Sequence, residues 1–112
     1  MSETQRIDVS RFVRNVATKK GWVLNQDPDF LASLIEGLEA NLLRLGYLQC
    51  PCRLSWDDPK KDKDIICPCI YAGEDIAQYG HCFCSLYLSE EFARSAAEPA
   101  SIPERRPEHL FP

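Results

Sequence analysis

Apolar residues recur with helical spacing through the first part of the chain and lose that rhythm near residue 50. Val9, Phe12, Val13 and Val16 fall at i, i+3, i+4 and i+7, which is one stripe of an amphipathic helix. Asp8 stands where an N-cap belongs, Lys19 and Lys20 suit the negative end, and Gly21 can close the helix. A longer helix is signalled by Asp27 as cap, Pro28 in the first position and Gly46 just past the end. Leu31, Leu34, Ile35, Leu38, Leu42 and Leu45 line one face between those signals, the pattern of plain core.

From Cys50 onward short loops carry the cysteines. A helical turn begun by Asp58-Pro59 and another from Glu74 to Tyr79 are the expected elements there. Ser89 followed by Glu90 and Glu91 predicts a capped helix running to about Ala97. The stretch from Pro99 to Pro112 holds four prolines and predicts an extended tail rather than a packed element. The expected fold is a small, mainly α-helical single domain over residues 1–112, with an N-terminal helix region (1–28), cysteine-bearing loops and the tail (99–112).

Length agrees, since 112 residues make one domain with a shallow core. No apolar run approaches the length that crosses a bilayer, so no membrane partner is expected. The start, MSETQRIDVS, has no basic region followed by an apolar stretch, which predicts no secretory signal and a reducing, cytoplasmic setting. A formal net charge of −4 gives no support for nucleic-acid binding. The basic pieces Lys60-Lys61-Asp62-Lys63 and Arg105-Arg106 are too short to change that.

In such a compartment six cysteines, all between Cys50 and Cys84, point to metal or redox chemistry rather than to structural disulfides. They form three Cys-x-Cys pairs: Cys50-Pro51-Cys52, Cys67-Pro68-Cys69 and Cys82-Phe83-Cys84. Zinc knuckles normally place at least two residues between their cysteines. The prolines stiffen the loops, and a rigid Cys-Pro-Cys is poorly shaped to close on itself, so the sulfurs are expected to meet across pairs. A cubane iron–sulfur cluster takes four thiolates and leaves two cysteines, enough for one disulfide. A single zinc would leave two thiols as well, whereas two zinc ions would need eight ligands and so every cysteine plus both His81 and His109, the latter out in the tail. Spacing favours a cluster over zinc and leaves open which four cysteines would bind it.

The ordered run CPCR (50–53), CPC (67–69) and CFC (82–84) resembles the catalytic beta chain of ferredoxin–thioredoxin reductase. The likeness extends through IEGLEANLLRLGYLQCPCR (35–53) and CSLYLSEEF (84–92), and spans roughly residues 30 to 93. It implies an enzyme, a ferredoxin-dependent disulfide reductase, carrying one 4Fe–4S cluster. By position, the resemblance makes Cys50, Cys67, Cys69 and Cys82 the cluster ligands. It makes Cys52 and Cys84 the redox-active disulfide, with Cys52 the exposed nucleophile and Cys84 close to the cluster. The implied partners are a ferredoxin or rubredoxin-like donor and a thioredoxin or glutaredoxin-like protein substrate, with a variable (alpha) subunit possible. Electrons passing from a ferredoxin at about −400 mV to a thioredoxin at about −270 mV would release on the order of 6 kcal/mol per pair.

This chain departs from the family pattern at the third pair, where Phe83 replaces a histidine and His81 stands just before the first cysteine. An imidazole near the disulfide suits proton transfer, so His81 is a candidate catalytic residue, with simple packing as its other reading. The segment between Cys69 and Cys82 is acidic, with Glu74 and Asp75, and suggests an altered docking face. Arg53 is placed to lower the pKa of Cys52 or else to face solvent. Tyr47, Tyr71, Tyr79 and Tyr87 are expected to shield the cluster, and Trp22 and Trp56 to pack at the rim. The stretch Asp57 to Asp64 predicts a solvated turn. Two rival classes fit the cysteines alone: a structural zinc-binding interaction module, and an iron–sulfur electron carrier with no reactive disulfide.

Overall fold

The computed structural model describes residues 8–112. Residues 1–7, which carry most of the leader reading and the start of the N-terminal region, lie outside the described residues.

Helix α1 (Val9–Lys20) starts at Asp8, whose carboxylate accepts a bond from Arg11 N at 3.1 Å, and ends at Gly21 in the left-handed region, φ 75°. It buries Val9, Val13 and Ala17, with Phe12 and Val16 packed alongside. Strand β1 (Val23–Leu24) follows, then α2 (Pro28–Leu45). Asp27 caps α2 by accepting from Asp29 N and Phe30 N, and Leu34, Leu38 and Leu42 form its buried stripe. Both leading helices thus have the caps and the core faces that their spacing predicts.

The second half holds α3 (Ala72–Tyr79), β2 (Tyr87–Leu88) and α4 (Glu90–Ser95). Helix α3 begins two residues before the expected Glu74, with no side-chain cap to mark its start. Ser89 caps α4 as expected by accepting from Phe92 N, and α4 closes at Ala96 in the left-handed region, slightly short of the expected end. Gly80 ends α3 at φ 87°, and any side chain there would run into the Phe92 ring. The fold is therefore mainly α-helical, as expected. Among the described residues no helix is long and apolar enough to cross a membrane.

Three features differ from the sequence reading. First, β1 and β2 pair antiparallel, Val23 opposite Leu88 and Leu24 opposite Tyr87. Strands of two residues are too short to show an alternating pattern, and they tie the third cysteine pair to the helical half.

Second, the stretch 57–64 is a turn with Asp57, Pro59, Lys60, Lys61 and Lys63 exposed, as expected, but it is solvated only in part. The Asp58-Pro59 turn leads into a 3₁₀ turn at Lys63–Ile65, and Asp62 and Asp64 are buried. Asp62 accepts from Tyr47 Oη and Ser55 Oγ at 2.6 Å and from Trp56 N at 3.0 Å. Its partners are too scattered in the chain for local charge patterning to reveal.

Third, residues 99–112 do carry little regular structure, but the tail is packed. Arg106, 3% exposed, bonds Asp64 through Nε and Nη2 at 2.8 and 3.2 Å. Arg105 Nε bonds Asp75 at 2.8 Å, and Trp56 Nε1 donates to Leu110 O. Side-chain ion pairs hold this strap, so an apolar periodicity could not announce it.

Candidate functional site

Short backbone links bring the three cysteine pairs together. Cys50 N donates to Ile65 O at 2.8 Å and Cys67 N to Leu48 O at 2.7 Å, so the first and second pairs lie on adjacent, antiparallel segments. The Cys67-Pro68 bond is cis. Gln49, 2% exposed, donates through Nε2 to Arg53 O at 2.6 Å and to Cys50 O, while Asn41 donates to its Oε1. This side chain fixes the first Cys-Pro-Cys turn. Gly37 lets that turn approach α2, since a Cβ there would stand 3.0 Å from Pro51 Cβ.

The third pair is held from the strand side. Cys82 N donates to Tyr87 O at 3.1 Å and Ser85 N to Cys82 O at 2.9 Å, closing a turn with Ser85 at φ 64°. Asn25 Nδ2, from the segment after β1, donates to Ser85 O at 2.8 Å.

The result is a mostly enclosed cavity lined by the sulfur-bearing side chains of Cys50, Cys67, Cys69, Cys82 and Cys84, with Phe83, Leu86 and Tyr87 among its apolar walls. Cys52 alone of the six is exposed. Within the inner group Cys84 Sγ lies 2.7 Å from Cys50 Sγ, and Cys84 also acts on the Cys52 thiol, lowering it. All six residues are free cysteines. Among the described residues, no group of three or more His, Cys, Asp or Glu side chains is placed so as to hold a metal ion.

The electrostatics divide the thiols. Burial pushes Cys67 and Cys82 up to about 12 and raises Cys69. The hydrogen bond from Cys84 lowers Cys52, and lowers Cys50 to about 7 against its burial, with Arg53 assisting at both. Cys84 is raised in turn by its two cysteine neighbours and by burial. Tyr87 N donates to Cys82 Sγ at 3.4 Å, and Tyr87 Oη lies 3.7 Å from Cys67 Sγ.

Arg53 does not face solvent, and its guanidinium points at Cys69 and Cys50 rather than at Cys52. Nη1 donates to Cys69 Sγ at 3.3 Å and to Cys50 Sγ at 3.7 Å. Nε and Nη2 both reach Glu104 at 2.8 Å. The ring of Phe83 lies 4.5 Å away and that of Tyr71 5.3 Å.

His81 is buried at 2% exposure. Ala100 N donates to its Nε2 at 3.3 Å, which requires Nδ1 to carry the proton and donate to Cys82 O at 2.8 Å. Both ring nitrogens thus engage backbone.

Of the four tyrosines expected around the sulfurs, Tyr87 and Tyr71 are close to them. Tyr47 bonds Asp62, and Tyr79 lines a separate groove with Trp22. Trp22 packs on Tyr87 with ring centroids 5.3 Å apart. Glu74 and Asp75 are both engaged by Arg105, at 3.3 and 2.8 Å, so one guanidinium offsets one of the two negative charges of the acidic segment. The sequence reading missed Gln49, Asn25 and Glu104, each of which acts on a cysteine loop through a side-chain bond without a motif.

A set of soft sulfur donors around one cavity, with N–H groups aimed at the sulfurs, fits an iron–sulfur group. Donor chemistry alone would also accept zinc. No curated protein sequence matches the chain. The family model described as ferredoxin thioredoxin reductase catalytic beta chain matches residues 2–108, well beyond the three cysteine pairs, and the chain belongs to that family.

Proposed function

We propose that this chain reduces the disulfide of a thioredoxin-like protein with electrons from a ferredoxin-like donor, by way of a 4Fe–4S cluster on Cys50, Cys67, Cys69 and Cys82. The observation that carries the reading is the division of the sulfurs. Five line one cavity, the sixth, Cys52, is exposed, and Cys84 lies against Cys50 and lowers the Cys52 thiol.

When bound, the cluster supplies electrons one at a time beside a cysteine pair whose chemistry needs two. The remaining steps belong to the chain's own residues. In the reduced pair Cys52 attacks one sulfur of the target disulfide, forming a mixed disulfide and releasing the other target sulfur as a thiolate. Cys84 then attacks Cys52 Sγ, forming the Cys52–Cys84 disulfide and expelling the second target thiolate. Two electrons from the donor, with two protons, restore the cysteine pair.

Exposure suits Cys52 for the first attack, and burial against Cys50 suits Cys84 for the second. Leu54 and Ile70, 78% and 69% exposed, neighbour Cys52 and Cys69 in the chain and offer an apolar rim to a docking partner. His81, with both nitrogens engaged, serves this reading by holding the Cys82–Ser85 turn rather than by passing a proton. A rubredoxin-like donor or a glutaredoxin-like target would use the same residues.

Cys67→Ser tests the ligand set. Iron per chain is expected to fall by more than half, with loss of visible absorption. Full iron with an unchanged spectrum would remove Cys67 from the centre.

A further inference from the structure

The C-terminal strap brings one carboxylate to the sulfur site. Glu104 accepts from Nε and Nη2 of Arg53, both at 2.8 Å, which is the two-pronged match of guanidinium and carboxylate. The opposite corner of the same guanidinium, Nη1, points at Cys69 Sγ and Cys50 Sγ. The Arg53 side chain is 2% exposed and lies against Phe83 and Tyr71, so its charge is shielded little by water. The Arg53 backbone lies in the first cysteine loop, whereas the grip on its charged end comes from 51 residues further along the chain.

We infer that Glu104 is a positioning residue for the redox centre: its carboxylate clamps the Arg53 guanidinium against Cys69 and Cys50, and that clamp raises the centre's affinity for an electron. The inference rests on the reading that these sulfurs hold the cluster. A fixed cation donating N–H bonds to ligand sulfurs stabilises the more reduced, more negative state. Glu104 itself is negative, and by charge alone it would do the opposite. The two effects therefore have opposite signs, and the sign of the measured shift separates them.

Glu104 Oε1 also accepts from Arg106 N at 2.9 Å, but the strap has other anchors. Ala100 N bonds His81 on one side, and Arg105, Arg106 and Leu110 are anchored on the other. Glu104→Ala should therefore keep the strap in place while freeing Arg53.

The experiment is a midpoint-potential titration of the cluster, followed by its spectrum, in the full-length protein and in E104A, E104Q, R53M and the E104A/R53M double variant, each normalised to iron content. E104A and R53M are both expected to shift the potential negative. E104Q, which keeps one acceptor for Arg53, should shift it less than E104A. In the R53M background E104A should no longer shift the potential negative, since the clamp works through Arg53; only the smaller positive shift from removing the Glu104 charge remains. A positive or absent shift in E104A overturns the inference, as does a Glu104 effect that persists in full without Arg53. If E104A fails to hold its cluster, the sign of the E104Q shift decides in the same way. A wild-type protein with no iron–sulfur absorption overturns the functional reading and this inference together. Cluster present with an unmoved potential overturns this inference alone.

Discussion

Cys52→Ser is expected to keep its iron and to lose disulfide reduction by on the order of a thousandfold or more, because a hydroxyl cannot replace the attacking thiolate. The expectation follows from position. Cys52 is the one exposed cysteine, and it lies outside the cavity that gathers the other five. Its removal leaves every sulfur of the proposed ligand set in place. The companion variant, Cys84→Ser, should also retain iron but stall later. Cys52 can still capture the target, and with no resolving thiol the mixed disulfide accumulates. Denaturing electrophoresis without reductant should show a covalent complex that dithiothreitol releases. Turnover by Cys52→Ser would remove Cys52 from the reaction, and a trapped complex in that variant would exchange the two roles.

The largest effect on stability is expected from Arg106→Ala. The Arg106 side chain is 2% exposed and bonds both oxygens of Asp64, with Asp62 Oδ1 at 3.8 Å. It also donates to Leu54 O and Lys61 O, closing the polar cluster beneath the first cysteine loop. Truncation would leave two buried carboxylates without their cation, which costs about 3–5 kcal/mol. Urea unfolding at neutral pH should show that loss as a lower midpoint.

The pH dependence has a definite sign. Burial works to raise Asp62, but bonds from Ser55, Tyr47 and Trp56 outweigh it and hold the carboxyl below its usual range. Asp64 is lowered likewise, against its burial, by Arg106 and Tyr71. Groups depressed on folding stabilise above their unfolded pKa, about 4, and that contribution is lost as pH falls through the folded values. The gap between wild type and Arg106→Ala should therefore narrow below about pH 4 as the carboxylates of both proteins become neutral. A gap that widens in acid would contradict this account.

How much of the molecule could be read in the chain depended on the range of the interaction. Helices α1 and α2 were legible because Asp8, Asp27, Gly21 and Gly46 punctuate regular apolar stripes, and caps act over only a few residues. The three Cys-x-Cys pairs were legible as chemistry because their order and spacing are themselves the signal. The strap was not. Its prolines argued for an extended tail, and apart from the 3₁₀ turn Glu108–Leu110 it is irregular, but Glu104, Arg105 and Arg106 find their partners among residues 53 to 78, and charges alone do not name partners at that distance. Arg53 shows the same limit in part: its position correctly suggested that it lowers Cys52, whereas its hydrogen bonds to Cys69 and Cys50 have no local signal. His81 was visible as an imidazole beside a cysteine pair. Only the fold shows both of its nitrogens engaged with backbone.

Membership of the ferredoxin thioredoxin reductase catalytic chains and the gathering of sulfurs in one cavity lead to a single central claim: this chain carries a 4Fe–4S cluster that serves a neighbouring cysteine pair. The most direct measurement is iron, zinc and acid-labile sulfide per chain on protein purified without oxygen, together with its visible spectrum. The expected result is a brown protein with iron and sulfide in equal amounts, about four of each per chain. Colourless protein that contains zinc, and takes up no iron during cluster reconstitution, would contradict the claim.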